Sequence, residues 1–190
     1  MIKQTLPLIL ASGSPRRKEI LDMVGLAYTV DVSEADETFC GEPAETVLEL
    51  SKRKALAVAP RHENALILAA DTLVFGENVL GKPGTRENAE KMLRSLSDCW
   101  HCVYTGMTLI DTADGKVYQK ADCTRVHFVK MTESEIQAYA ASDEPLDKAG
   151  AYAIQGIGGM FVDRIEGSYS NVVGLSMTAL RDLLHEAGQV

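Results

Sequence analysis

The sequence is poor in several features, and each shortage closes off a class of protein. Four cysteines in 190 residues are too few for a disulfide-built secreted scaffold and fit a reducing, cytoplasmic setting. No stretch reaches the roughly 18 uninterrupted apolar residues of a membrane span. The N-terminal apolar run, Leu6 to Ala11, is short, is broken by Pro7 and leads into Arg16, Arg17 and Lys18. That pattern is wrong for a secretory signal. Basic residues are the minority, 19 against 27 acidic, for a net charge of −8. A binder of nucleic-acid polymers needs the opposite balance. There is no Walker A pattern, no G-x-G-x-x-G and no nucleophile elbow, and the four histidines are scattered. What remains is an ordinary globular composition, 46% hydrophobic and 24% charged, at a length that suits one domain over residues 1–190.

Apolar runs and helix-period segments alternate along the chain, which predicts an α/β fold. Leu6–Ala11 reads as a buried strand. Ser14-Pro15 then opens a helix, with Ser14 as its cap and Gly25 as its end. Tyr28–Val32 reads as a second strand and runs into an irregular acidic stretch, Ser33 to Glu42. Pro43 opens a second helix with Val47, Leu48, Ser51, Ala55 and Val58 on one side, and Pro60 stops it. Ala65–Ala70 is a buried strand ending in Asp71-Thr72, and Val74 to Leu80 form a short hairpin. Thr85 caps a third helix with Ala89, Met92, Leu93 and Leu96 inward. Residues 101–111 and 117–130 read as strands around the Asp114-Gly115 turn. Thr132 and Glu135 form a capping box for a fourth helix. A glycine-rich loop at 150–159, a strand at Met160–Ile165 and a last helix bearing Leu180, Leu183 and Leu184 complete the pattern.

Four places carry chemistry. Ser12-Gly13-Ser14-Pro15-Arg16-Arg17 puts a tight turn, a helix N-terminus, two hydroxyls and two guanidiniums directly after a buried strand. Helix N-termini favour anions, and Arg grips phosphate oxygens bidentately. Basic residues there oppose the helix dipole, a cost that a bound phosphate would remove. Asp71 at a strand end is placed to act as general base, to hold a hard cation or simply to cap a turn. Glu34, Asp36 and Glu37 together with Lys54 and Lys82 suit a metal–polyphosphate complex, the acids holding Mg²⁺ and the lysines the oxygens. Gln155 both donates and accepts, so it complements the carbonyl and imide N–H of uracil or thymine, or else satisfies its own loop. Cys99-Trp100-His101-Cys102 has C-x-x-C spacing, but it reads as the start of a strand, and Cys40 and Cys123 stand apart. A redox or zinc role is therefore disfavoured.

The quoted residues stand in an order that resembles the Maf family of nucleoside triphosphate pyrophosphatases. The matching segments are LASGSPRRKEIL at 10–21, ADTLV at 70–74, LGKP at 80–83, VYTG at 103–106, EPLDKAGAYAIQG at 144–156 and GSYSNVVGL at 167–175. The resemblance implies an ITPase-like, elongated α/β fold with a central mixed, twisted sheet flanked by helices and a cleft between two lobes. It implies hydrolysis of a nucleoside triphosphate to the monophosphate and pyrophosphate with Mg²⁺ or Mn²⁺, and homodimers are common in the family. KAGAYAIQG looks like the branch acting on dTTP and UTP, not the one acting on 7-methyl-GTP. On that basis Arg16, Thr72 and Gln155 select substrate and Asp71 accepts the proton. Lys54 and Lys82, with Ser12, Ser14 and Arg17, meet the phosphates. Glu34, with Asp71, meets the metal, and Glu37 stands beside it. The family's septum phenotype implies one alternative, a non-catalytic nucleotide-binding regulator of cell division. Cys99, Cys102 and Ser176 depart from the family's usual residues, and none lies in a proposed site motif.

Overall fold

A computed structural model describes residues 4–38 and 41–189 of the chain. Cys40 lies outside the described residues. Among the described residues seven strands form one mixed sheet: β1 (Leu8–Leu10), β2 (Tyr28–Val30), β3 (Leu66–Phe75), β4 (Val79–Leu80), β5 (Trp100–Asp111), β6 (Val117–Phe128) and β7 (Val162–Glu166). Their order is β2-β1-β3-β5-β6-β7, with β4 paired to β3. β1 runs parallel to both β2 and β3, whereas the β3–β4 and β6–β7 pairs are antiparallel. The helices are α1 (Pro15–Val24), α2 (Pro43–Val58), α3 (Arg86–Leu96), α4 (Glu133–Ala140), α5 (Tyr169–Val173) and α6 (Met177–Glu186). Among the described residues no helix is long and apolar enough to cross a membrane.

The chain falls into two compact units, and β3, β5 and β6 each contribute to both. The first unit comprises Met1–Asp71, Thr105–Asp122 and Gly174–Val190. Part of its core sets Ile9 and Ala11 against Ile67, Ala69, Ile110 and the Ala55–Val58 side of α2. The second unit comprises Thr72–Tyr104 and Cys123–Val173. Its core gathers Val74, Leu93, Leu96, Val126, Phe128, Ile136, Tyr139 and Phe161. Within each unit, helical and strand periodicities thus deliver an apolar face to that unit's own core.

Most expected elements are present, with informative differences. The Thr132–Glu135 capping box forms in full, and Thr85 caps α3 by accepting from the Asn88 amide. Ser14 sits at the N-cap position of α1 but makes no side-chain capping bond. On α2 it is Leu50, rather than Leu48, that is buried with Val47, Ser51, Ala55 and Val58. The strand expected to end at Asp71 continues to Phe75, so Asp71 and Thr72 lie within β3. Two polar residues interrupt the apolar run without ending the ladder, because β pairing is a backbone property. The glycine-rich loop folds into short 3-10 turns, and the five-residue helix α5 has no counterpart in the sequence pattern.

Two contacts seat α2 on β5. Ser51 Oγ and Thr108 Oγ1 share a buried hydrogen bond of 2.8 Å. One turn earlier, a Cβ added to Gly106 would overlap the carbonyl of Val47. Only glycine permits that approach, and Lys54 lies on the next turn of the same helix. Gly106→Ala should therefore cost about 3 kcal/mol, the upper end for overpacking against rigid backbone. Urea unfolding would show it as a lower midpoint at unchanged slope. An unaltered midpoint would mean that α2 is not held there.

Candidate active site

The parallel register of β1 and β3 explains why two distant pieces of sequence meet. Leu10 lies opposite Leu68, and the Ala11 amide donates to Leu68 O at 2.8 Å, one residue past β1. The turn at Ser12–Ser14 therefore leaves the sheet at about the level of Asp71, three residues beyond Leu68. Parallel strands present their ligand-binding ends together, and this unit follows that rule.

Arg17 turns back from the first turn of α1 into this corner. Its Nη1 donates to Ser12 Oγ at 3.0 Å and its Nε to Gly174 O at 2.9 Å. The Ser14 amide also donates to Ser12 Oγ, at 3.3 Å. Burial pulls the Arg17 pKa down, and the neighbouring Arg16 charge adds to that. Asp71 and Glu37 oppose it, which places both carboxylates within the electrostatic reach of Arg17. The first turn of α1 holds no acidic residue, so positive charge accumulates at a helix N-terminus.

Lys54 is the junction of the site. Its Nζ donates to Asp71 Oδ1 at 2.6 Å and pairs with Glu37 Oε1 at 2.8 Å. The Lys54 and Asp71 side chains are only 12% and 13% exposed, while Glu37 is 61% exposed. Local bonds bring Glu37 here: Asp36 Oδ1 accepts from the Thr38 amide, and Arg53 Nη1 donates to Thr38 O, tying the acidic stretch to α2. Glu34 lies on the same stretch and is exposed. The carboxylate that meets Lys54 opposite Asp71 is that of Glu37. Nothing in the spacing of Glu34, Asp36 and Glu37 separates them; the turn at Thr38 does.

The remaining expected residues belong to the second unit. Thr72 follows Asp71 along β3 and is half-buried; Lys82 is exposed in the loop after β4. That loop is clipped to the 146–150 segment by Gly150 N–H to Gly81 O and Gly84 N–H to Leu146 O, both 3.2 Å. Gln155 is exposed in the turn beyond. In the same unit, Tyr152 Oη and His101 Nε2 share a buried hydrogen bond of 2.8 Å. Edge-on contacts among His101, Phe128 and Tyr152 surround that bond. Burial alone would raise the Glu144 carboxyl, but bonds from Tyr139 Oη and the Gly158 and Ile157 amides outweigh it and hold its pKa below the usual range. Sequence reasoning passed over Glu144, Tyr139 and His101. The available signal was a Tyr five residues ahead of the acid that opens EPLDKAGAY. Cys99 and Cys102 are free thiols, one just ahead of β5 and one within it, as expected of a strand start.

Among the described residues no group of three or more His, Cys, Asp or Glu is placed to hold a metal ion. The two carboxylates on Lys54 still suit a hard cation. Mg²⁺ is held through one or two carboxylates when substrate phosphates complete its shell. The donor set therefore fits a metal that arrives with a polyphosphate.

A family model described as "Maf-like protein" matches residues 7–187. A protein of Pelotomaculum thermopropionicum named "dTTP/UTP pyrophosphatase" is 46% identical over 184 residues, covering 95% of this chain and 96% of its own. Proteins of the same name from Halalkalibacterium halodurans and Bacillus anthracis are each 47% identical, over 175 and 176 residues; coverage is 90% and 91% of this chain and 91% of each relative. Among solved structures, a HAM1 protein from Coxiella burnetii superposes with a TM-score of 0.50 at 15% identity, covering 98% of this chain and all of that one. That likeness supports the fold.

The His101 environment yields a pH test. Burial first, and the His127 charge second, push the His101 pKa down to about 4 from an ordinary 6.5. Between those values the unfolded chain holds the extra proton and the folded chain does not. Stability from this group is thus intact above about pH 6.5 and declines as pH falls toward 4, by about 3 kcal/mol in total. Urea midpoints at pH 7 and pH 4 should show the unaltered protein losing about that much more than His101→Gln. Equal losses would mean that His101 is not kept neutral.

Proposed function

The chain belongs to the Maf family, and on that premise we propose that it is a nucleotide pyrophosphatase, a hydrolase that converts dTTP and UTP to the monophosphate and pyrophosphate. The observation that carries the chemistry is the nearly buried Lys54 ammonium between Asp71 and Glu37, with the Arg17 guanidinium in the same field. Its relatives' shared name supports the choice of pyrimidine. Free nucleotides as substrates fit a cytoplasmic protein that works on neither membranes nor nucleic-acid polymers.

In this reading the start of α1 receives the triphosphate. Ser12 and Ser14 offer hydroxyls, and Arg17 and Lys54 meet phosphate oxygens, with Lys82 adding a further ammonium. Water attacks the α-phosphorus, the bridging oxygen between the α- and β-phosphates departs, and pyrophosphate leaves. Asp71 accepts the proton of the attacking water. Lys54 bonds its Oδ1, which fixes the carboxylate plane and leaves the other oxygen to take that proton. Charge building on the equatorial and leaving oxygens is stabilised by cations already in place. A bound Mg²⁺ or Mn²⁺ would supply Lewis-acid polarisation of the phosphates and a more acidic water. Asp71 and Glu37 would hold it, with Glu34 on the same stretch as Glu37. Arg16, Thr72 and Gln155 are assigned to substrate choice, with Gln155 meeting the pyrimidine edge.

Asp71→Asn should lower turnover by at least about 100-fold, the scale of a lost general base, while dTTP affinity by calorimetry changes little. Near-normal turnover in a folded variant would remove Asp71 from the mechanism. A panel of dTTP, UTP, CTP, GTP and 7-methyl-GTP with Mg²⁺ or Mn²⁺ should release pyrophosphate fastest from the first two. Orthophosphate as product would mean stepwise dephosphorylation, and binding without product would mean a regulator. A purine preference would overturn the pyrimidine assignment.

A further inference from the structure

Gln155 is exposed, yet the turn that carries it is tied down on both sides by two residues of the second unit that touch neither phosphate nor base in the reading above. Glu144 Oε1 accepts from Tyr139 Oη at 2.7 Å and from the Gly158 amide at 3.1 Å, and its Oε2 accepts from the Ile157 amide at 3.1 Å. Tyr139 Oη in turn accepts from the Ala153 amide at 3.1 Å. The chain is thus held two residues before Gln155 and again two and three residues after it. The fit is close: a Cβ on Gly156 would overlap the Glu144 carboxylate, and one on Gly158 would overlap Tyr139 Oη.

The anchor itself is rigid. Tyr139 is buried on the inner face of α4 with Ile136 and Ala140, its ring 5.4 Å from that of Phe161. The start of α4 is set by a complete capping box. Glu144 opens the 3-10 turn Glu144–Asp147 shortly after that helix ends. A carboxylate accepts on both oxygens. An amide in its place would accept on one and point a donor at the other loop N–H.

We propose that Glu144 is a positioning residue for base selection: with the Tyr139 phenol it holds the 153–158 turn in the shape that presents the Gln155 amide to the pyrimidine edge. This rests on the reading that Gln155 meets the base. Thymine offers an imide N–H and a 4-carbonyl where cytosine offers a ring nitrogen and a 4-amino group. An amide separates the two only if the backbone fixes its reach, because a shift of an ångström costs a hydrogen bond its geometry. The acid therefore acts through the turn and not on the reacting atoms.

The test is a double-mutant cycle read as the ratio of kcat/KM for dTTP to that for dCTP. Gln155→Ala should collapse the ratio. Glu144→Gln should lower it by about tenfold, through a higher KM for dTTP at nearly unchanged kcat. The double variant should be no less selective than Gln155→Ala alone. An unchanged ratio in Glu144→Gln, a matching loss of kcat, or independent losses that add in the double variant would overturn the proposal while leaving Gln155 at the base. An unchanged ratio in Gln155→Ala would overturn the base reading and the proposal with it. Tyr139→Phe removes one anchor without introducing a donor. It carries the same expectation at smaller size should Glu144→Gln fail to fold, and an unchanged ratio there would equally overturn the proposal.

Discussion

One ammonium shared between two carboxylates governs the first unit. Lys54 and Asp71 are largely withdrawn from water, and neither charge is tolerable there without the other. The pair therefore dictates that α2 and β3 hold a fixed relation within that unit. It also sets the state in which the site waits. In the proposed mechanism, an ammonium satisfied by Asp71 and Glu37 would exchange one of them for a phosphate oxygen at modest cost, since one anionic acceptor replaces another. Glu37 is the exposed partner and the easier to displace. In the same proposal Asp71 would keep its place, as a carboxylate that meets a water in a defined direction must.

The packing around this pair is economical in elements. The parallel β1–β3 register brings Asp71 level with the turn into α1, and Arg17 folds back from that turn onto Ser12 and Gly174. Gly106 and the Ser51–Thr108 bond seat α2 at successive turns ahead of Lys54. Each contact lies within about one helical turn, or a few strand residues, of a charged group. A small displacement in the core is therefore delivered almost undiminished to the ammonium or the carboxylate, since packed interiors transmit strain instead of absorbing it.

How much of this was legible in the sequence depends on the range of the interaction. Local signals read well: Pro15 and Gly25 bracket α1, Thr132 and Glu135 cap α4, and the apolar faces of α3 and α6 point inward. Asp71 stands out in the sequence as a strand end that does not exist, because polar residues inside a strand look like a boundary when only burial is read. Ser14 has the type and position of a cap, yet its neighbour Ser12 takes the local bonds. Glu37 could not be told from Glu34, since what distinguishes them is the turn at Thr38 and its tie to Arg53. His101 and Tyr152 are 51 residues apart, and no periodicity announces such a pair.

The two units also solve different physical problems. The first unit concentrates like charges in close company, Arg16 beside Arg17 and Asp71 near Glu37, as the proposed phosphate chemistry requires. The proposed reading of a base calls instead for directional groups on a backbone that does not drift. The second unit holds buried polar bonds, His101 to Tyr152 and Tyr139 to Glu144, each wedged among aromatic rings or a capped helix. A buried polar network rigidifies a fold when its members are satisfied, as those around Glu144 are. Glu144 accepts three bonds and Tyr139 both donates and accepts, so the turn bearing Gln155 is held by bonds with few alternatives. A surface loop rich in glycine would otherwise sample many shapes. Here its glycines are what allow the chain to close tightly around its anchors, so the feature that looks like flexibility in the sequence is the condition for rigidity in the fold.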